Sequence, residues 1–194
     1  MAELKVLVIC GSLRKGSFNA SVARALPALA PPELSLTPAA SFGKFSIYDA
    51  DDQTATGIPA DVKAWCDAVR DADGVIIVSP EYNWSIPAGL KNAIDWASRP
   101  ARRSVLTGKP VAIMGATPGS GGTARAQAHL RDGLAYTNGY VLPLPEVLVP
   151  LAAAKFDADG NLTDAETREA VRDLLVSLAA WTRRLRSTQE SVAS

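Results

Sequence analysis

The chain has 194 residues, 47% of them apolar, and 20 Lys+Arg against 20 Asp+Glu, for a formal net charge of zero. That length suits one large domain with a single substantial core. The charge balance argues against a nucleic-acid binder, which would need a basic stripe, and against an acidic docking surface.

The N-terminal run MAELKVLVIC lacks a basic region ahead of a long apolar stretch, so it reads as a strand rather than a secretory leader. No segment approaches the roughly 20 apolar residues of a membrane span. Cys10 and Cys66 form neither a CxxC nor a metal-type cluster and read as free thiols in a reducing cytoplasm. The expectation is one soluble, cytoplasmic domain over residues 1–187 with a frayed tail at 188–194, and no metal site.

Leu4 to Cys10 is a nearly continuous apolar strand of the kind buried on both faces of a parallel sheet. A polar loop bounded by Gly11 and Gly16 follows. Residues 19–30 then place Val22, Ala23, Leu26 and Leu29 on one helical face, and Pro31-Pro32 stop them. Leu34 to Thr37 suggests a second strand, and 38–57 lacks a period and reads as a long surface loop. Pro59 opens a helix carrying Val62, Trp65, Cys66 and Val69 on one face. Val75 to Val78 is the third strand.

Pro87 starts a helix to about Ala97, Val111 to Met114 is the fourth strand, and a glycine-rich turn (GATPGSGG) leads into a helix over 123–137. Between 141 and 149, Pro143 and Pro145 break one or two short extended pieces. Thr163 and Glu166 form a capping box for the last helix.

Alternating apolar strands and helices predict an α/β fold, a three-layer α/β/α sandwich with a five-stranded parallel sheet in the order 2-1-3-4-5. In that topology the ligand lies beyond the carboxyl ends of the strands, where the order reverses. The loops there are 11–19, 79–86 and 115–122, all rich in Gly, Pro, Ser, Asn or Thr.

The first loop follows a strand and precedes a helix, an anion-binding arrangement of inward N–H groups and a positive helix end. Residues 11–16 read GSLRKG, which lacks the middle glycine of a dinucleotide fingerprint. Ser17-Phe18 stand where a P-loop has Lys and Ser/Thr, so nucleotide hydrolysis is poorly supported. A phosphate monoester carrying an extended ring remains, and flavin mononucleotide (FMN) has that shape; a plain strand-to-helix turn with a solvated Arg14 is the alternative. In the second loop Tyr82 and Trp84 suit the walls of a flat ring, and Asn83 and backbone N–H groups suit its polar edge. Trp84 reads equally well as a core residue beside the helix; Trp96 reads as core.

Together, GSLRKGSFNA and PEYNWSIPAGLKNAIDW resemble the NADPH-dependent FMN reductase family, and within it the bacterial quinone and chromate reductases. The resemblance is dense over residues 4–100 and looser to about 186. It implies a flavodoxin-like fold with bound FMN and with NADPH or NADH as co-substrate. Ser12, Arg14, Ser17, Phe18 and Asn19 would hold the phosphate. Pro80, Glu81, Tyr82 and Asn83 would line the ring with Ser85 nearby, and Thr117 with Gly119 would close the third side. It also implies a homodimer or homotetramer in which the helix from Leu90 to Trp96 meets its mate.

The expected reaction is ping-pong: hydride from NAD(P)H to the bound flavin, then electrons to a quinone, flavin or similar small acceptor in the same cleft, with no catalytic side chain. A flavodoxin-type electron carrier is the alternative, disfavoured by zero net charge and by Arg14 in the loop. His129, the single histidine, reads as structural, Asp157 to Asn161 as a turn, and Arg99, Arg102 and Arg103 as surface charge.

Overall fold

The computed structural model describes residues 3–193, with side chains to 188. Strand β1 (Leu4–Cys10) points Leu4, Val6 and Val8 to one side of the sheet and Leu7 and Ile9 to the other. Both sides are apolar, so both must be covered. Helices α1 (Phe18–Ala25) and α6 (Ala165–Ala193) cover the first side; α3 (Ala60–Asp71), α4 (Ala88–Ala97) and α5 (Ala124–Tyr136) cover the second.

The sheet is wholly parallel. Strands β2 (Leu34–Pro38), β1, β3 (Gly74–Val78) and β4 (Pro110–Ala116) lie in the order β2-β1-β3-β4. The fifth position is shared. Short strands β5 (Tyr140–Val141) and β6 (Val147–Val149) both pair with β4, Tyr140 beside Pro110 and Val147 beside Met114. Pro143 and Pro145, which have no N–H to donate, lie in the gap between them. The 2-1-3-4-5 order expected from the sequence is therefore present, with its last strand divided.

Other boundaries differ from the sequence reading for local reasons. The helix expected over 19–30 ends at Ala25 and continues as a 3-10 turn over Leu26–Ala28, because Pro27 cannot donate an α-helical bond. The supposed loop 38–57 contains α2 (Ala50–Thr56), opened by Asp49, whose Oδ1 accepts from the N–H groups of Asp51 and Asp52. That helix buries no residue, so it left no apolar period to read. Phe42, in the same stretch, is buried edge-on to Trp65 at 6.4 Å.

At α6 the cap is Asp164 rather than Thr163. Asp164 Oδ1 accepts from Thr167 N–H at 3.0 Å, while the Thr163 hydroxyl turns away to Lys155 O. Helix α6 runs past Arg186 to Ala193, where the sequence suggested a frayed tail; Ser194 lies outside the described residues.

Candidate active site

Three loops leave the carboxyl ends of β1, β3 and β4 side by side because the strand hydrogen bonds continue one residue further. Gly11 N–H donates to Val78 O at 2.8 Å, Ser79 N–H to Met114 O at 2.9 Å and Thr117 N–H to Val149 O at 3.0 Å. Gly115 permits this convergence. A Cβ there would collide with the Ser79 carbonyl oxygen and the Thr123 hydroxyl, so any other residue would push the second and third loops apart.

In the first loop, Leu13, Arg14, Lys15 and Gly16 make no hydrogen bond, ion pair or ring contact among the described residues. Their N–H groups and the Arg14 guanidinium are free donors beside the start of α1, and the Ser12 hydroxyl has no partner although the residue is 9% exposed. Such a cluster matches the charge and donor needs of a phosphate monoester. Ser17 is the N-cap of α1, its Oγ accepting from Asn19 N–H at 3.2 Å. Phe18 turns inward against Phe156, centroids 5.4 Å apart.

Asn19 has another role. Its side chain is buried, donates through Nδ2 to Ala116 O and accepts through Oδ1 from Ala116 N–H, both at 2.8 Å. It locks the first turn of α1 to the last residue of β4, so it shapes the first loop without offering its carbonyl to a ligand.

The second loop is a tight hairpin. Tyr82 N–H donates to Ser85 O and Ser85 N–H to Tyr82 O, both at 2.9 Å, and Asn83 (φ 50°) and Trp84 (φ 63°) at its tip are both left-handed. That is the signature of a type I′ turn, whose second tip residue is usually Gly. A tryptophan there is strained by roughly 1–3 kcal/mol. Tyr82 N–H is consumed by the hairpin, whereas the N–H groups of Glu81, Asn83 and Trp84 remain free donors.

Helix α5 holds this hairpin in place. Glu81 Oε2 accepts from Arg125 N–H (3.0 Å) and Ala126 N–H (3.1 Å), capping a helix whose own N-cap, Thr123, makes no side-chain cap bond. The Arg125 guanidinium lies 4.4 Å from the Trp84 ring centroid, and a turn later His129 Nδ1 is 2.9 Å from Ser85 Oγ. The Glu81 carboxylate is thus committed to the start of α5, while its backbone N–H stays free. Trp84 is 67% exposed, which removes the core reading, whereas Trp96 is buried and donates to Ser46 O. Pro80 is buried and Tyr82 is 49% exposed, at the rim.

The third loop folds onto the β6 end. Thr117 Oγ1 accepts from Gly119 N–H at 3.3 Å, and Gly119 O accepts from Leu151 N–H. Gln127 ties α5 to the same region through Val147 O at 3.0 Å. The structure thus gathers Ser12, Arg14, Ser17, Tyr82, Asn83, Ser85, Thr117 and Gly119 on loops at one end of the sheet. Arg125 and His129 complete the second loop; the sequence offered no signal for Arg125 and gave His129 only as structural, because only folding brings them to residues more than 40 positions away. Among the described residues no cluster of His, Cys, Asp or Glu could hold a metal ion.

Residues 4–154 match the model of the NADPH-dependent FMN reductase family. The chain belongs to that family. An NAD(P)H-dependent FMN reductase of Pseudomonas aeruginosa is 44% identical over 95% of this chain and 98% of its own. A quinone reductase of Escherichia coli is 42% identical over the same shares of the two chains. Among solved structures, the flavoenzyme NAD(P)H:(acceptor) oxidoreductase FerB of Paracoccus denitrificans superposes with a TM-score of 0.84 at 33% identity, covering 93% of this chain and 98% of that one. The flavodoxin-like α/β fold implied by the two motifs is the fold found.

Proposed function

We propose that this chain carries FMN across the three loops and uses it to pass reducing equivalents from NAD(P)H to a small planar acceptor of the quinone class. Membership of the NADPH-dependent FMN reductase family makes it a flavin oxidoreductase, with FMN as cofactor and NAD(P)H as reductant. Bound FMN supplies the hydride-accepting and electron-donating chemistry, as cofactors generally do. The acceptor class is taken from the quinone reductases among its relatives, including a 2-hydroxy-1,4-benzoquinone reductase of Burkholderia, 42% identical.

One observation carries the assignment of roles: residues 13–16 combine free backbone N–H groups with the exposed Arg14 guanidinium, which has no acid paired to it among the described residues. In this reading those N–H groups, Arg14 and the Ser12 and Ser17 hydroxyls hold the phosphate. Tyr82 and Pro80 flank the ring, the N–H groups of Glu81 and Asn83 donate to its electron-rich edge, and Thr117 and Gly119 close the remaining side. Asn19, Phe18, Glu81 and Ser85 keep those donors in position. No side chain is required to move a proton.

The visible spectrum of the purified protein tests the cofactor: flavin bands that bleach within seconds of adding NADPH support the reading, and a colourless protein that takes up no FMN refutes it. Parallel double-reciprocal plots with a quinone support one shared cleft; intersecting lines refute it. Replacing Arg14 by Ala removes a charge-assisted hydrogen bond worth about 1.5–3 kcal/mol, so FMN should bind roughly ten- to a hundredfold more weakly.

A homodimer through α4 also belongs to this reading. Leu90 and Trp96 are buried in the protomer's own core, so the contact would use the outer face of α4. Ile47, 84% exposed, supports it, because Asn92 and Trp96 hold its loop against that helix through Ser46 O and Tyr48 N–H. Sedimentation of Ile47→Asp, monomeric where the parent is dimeric, is the expected result.

A further inference from the structure

A cavity of about 640 Å³ lies away from the three loops. It sits on the other flank of β1, between α1, the carboxyl ends of β1 and β2 and the loop 39–44, and shares only Ser12 and Leu13 with the first loop. The sequence accounts for it. Ala39 N–H donates to Val8 O, which turns the chain at the end of β2 back over β1, and Phe42 plunges into the core and anchors the arch. Beneath that arch α1 presents Ala20 and Ala23, side chains too small to fill the space, with Arg24 beside them.

The lining is mainly apolar, with Val8, Leu36 and Phe42 in its walls, and it includes two cations, Arg24 and Lys44, but no Asp or Glu. Neither cation has a carboxylate partner among the described residues; Arg24 is steadied instead by the Ser21 hydroxyl at 2.9 Å. A concave apolar space of a few hundred cubic ångströms with a few convergent polar groups is the usual form of a small-molecule site. Two unpaired cations at an apolar space select against cations and in favour of a molecule with an anionic end, since opposite potentials set specificity.

We propose that this cavity is a second ligand site, separate from the flavin cleft, for a flat aromatic carboxylate or sulfonate whose ring lies against Ala20, Ala23 and Leu36 and whose anion meets Arg24 and Lys44. The site provides its own reporter. Cys10 lines the same cavity, half-buried, its Sγ 3.6 Å from Ser12 O, and the second thiol, Cys66, lies on the opposite side of the sheet.

The test uses the full chain loaded with FMN, so that the flavin cleft is filled, and 2-naphthoate as probe. Calorimetry should give one saturable site per chain. Peptide-resolved alkylation by iodoacetamide should show Cys10 slowed about fivefold or more at saturation while Cys66 is unchanged, as expected of mass action at an occupied site. Ala23→Trp fills the space and should abolish binding. Arg24→Gln with Lys44→Gln, both at partly or fully exposed positions, should fold normally and weaken naphthoate about tenfold, with no effect on the uncharged methyl ester. No saturable binding, binding that survives Ala23→Trp, a Cys10 rate indifferent to naphthoate, or equal affinities in the double variant would each overturn the proposal. None of these results bears on flavin binding, so the two readings stand or fall separately.

Discussion

Asn19 is the residue whose motif and whose geometry give different answers, which makes Asn19→Ala the most instructive substitution. As a phosphate ligand, its loss would weaken FMN and leave the flavin-free protein as stable as before. As a clamp, its loss strands two buried backbone groups, the N–H and C=O of Ala116, each of which it bonds at 2.8 Å. A buried polar group left unpaired costs about 1–3 kcal/mol, so the pair amounts to roughly 2–5 kcal/mol after relaxation. With a urea dependence of about 2 kcal/mol per molar, the unfolding midpoint of the flavin-free protein should drop by about 1–2.5 M. Asn19→Asp should be no milder, because its carboxylate keeps the acceptor for Ala116 N–H but opposes the Ala116 carbonyl. The measurement is urea unfolding of flavin-free parent and variants, followed by circular dichroism. A midpoint within about 0.2 M of the parent, given that slope, combined with a tenfold or greater loss of FMN affinity, would refute the clamp.

Three further outcomes follow from the geometry. Gly115→Ala places a methyl carbon against the Ser79 carbonyl and the Thr123 hydroxyl; thermal unfolding and flavin titration should show both lower stability and weakened FMN, and a variant that matches the parent would mean that the loops do not depend on this contact. Trp84→Gly relieves a left-handed backbone while giving up the Arg125 contact, worth about 0.5–1 kcal/mol at an exposed site. With about 0.5–1 kcal/mol more lost to the glycine's extra chain entropy, stability should lie between about 1 kcal/mol below and about 2 kcal/mol above the parent. Removing a core Trp instead costs roughly 3–5 kcal/mol. The Asp164 carboxyl is held down to about 2, first by the hydrogen bond from Lys155 Nζ and then by those from Thr167. Because its folded value lies below the ordinary 3.8, its stabilising effect is present above about pH 4 and fades as pH falls toward 2. The stability gap between the parent and Asp164→Asn should narrow over that window; a constant gap in acid unfolding curves would contradict the assignment.

Much of this molecule was legible because short apolar runs and helical periods are local. Val75 to Val78 is apolar at every position, so it could only be a strand buried on both faces, and such strands alternating with amphipathic helices permit few topologies. The loops at the carboxyl ends were legible for the same reason, since Gly11, Pro80 and Gly119 punctuate the chain where those strands end. Helix α2 escaped notice because a helix that buries nothing has no apolar face to announce it. What a residue does inside a loop is another matter. Asn19 lies next to the free donors and could serve a ligand or the backbone; the position of Ala116, 97 residues away, decided for the backbone. Glu81 could have faced a ring, but the uncapped start of α5 drew its carboxylate away. The cavity under residues 39–44 depends on how far a loop arches over two alanines. Periodicity records which face of an element is buried, whereas these choices depend on which distant polar group or empty space the folded chain brings within reach.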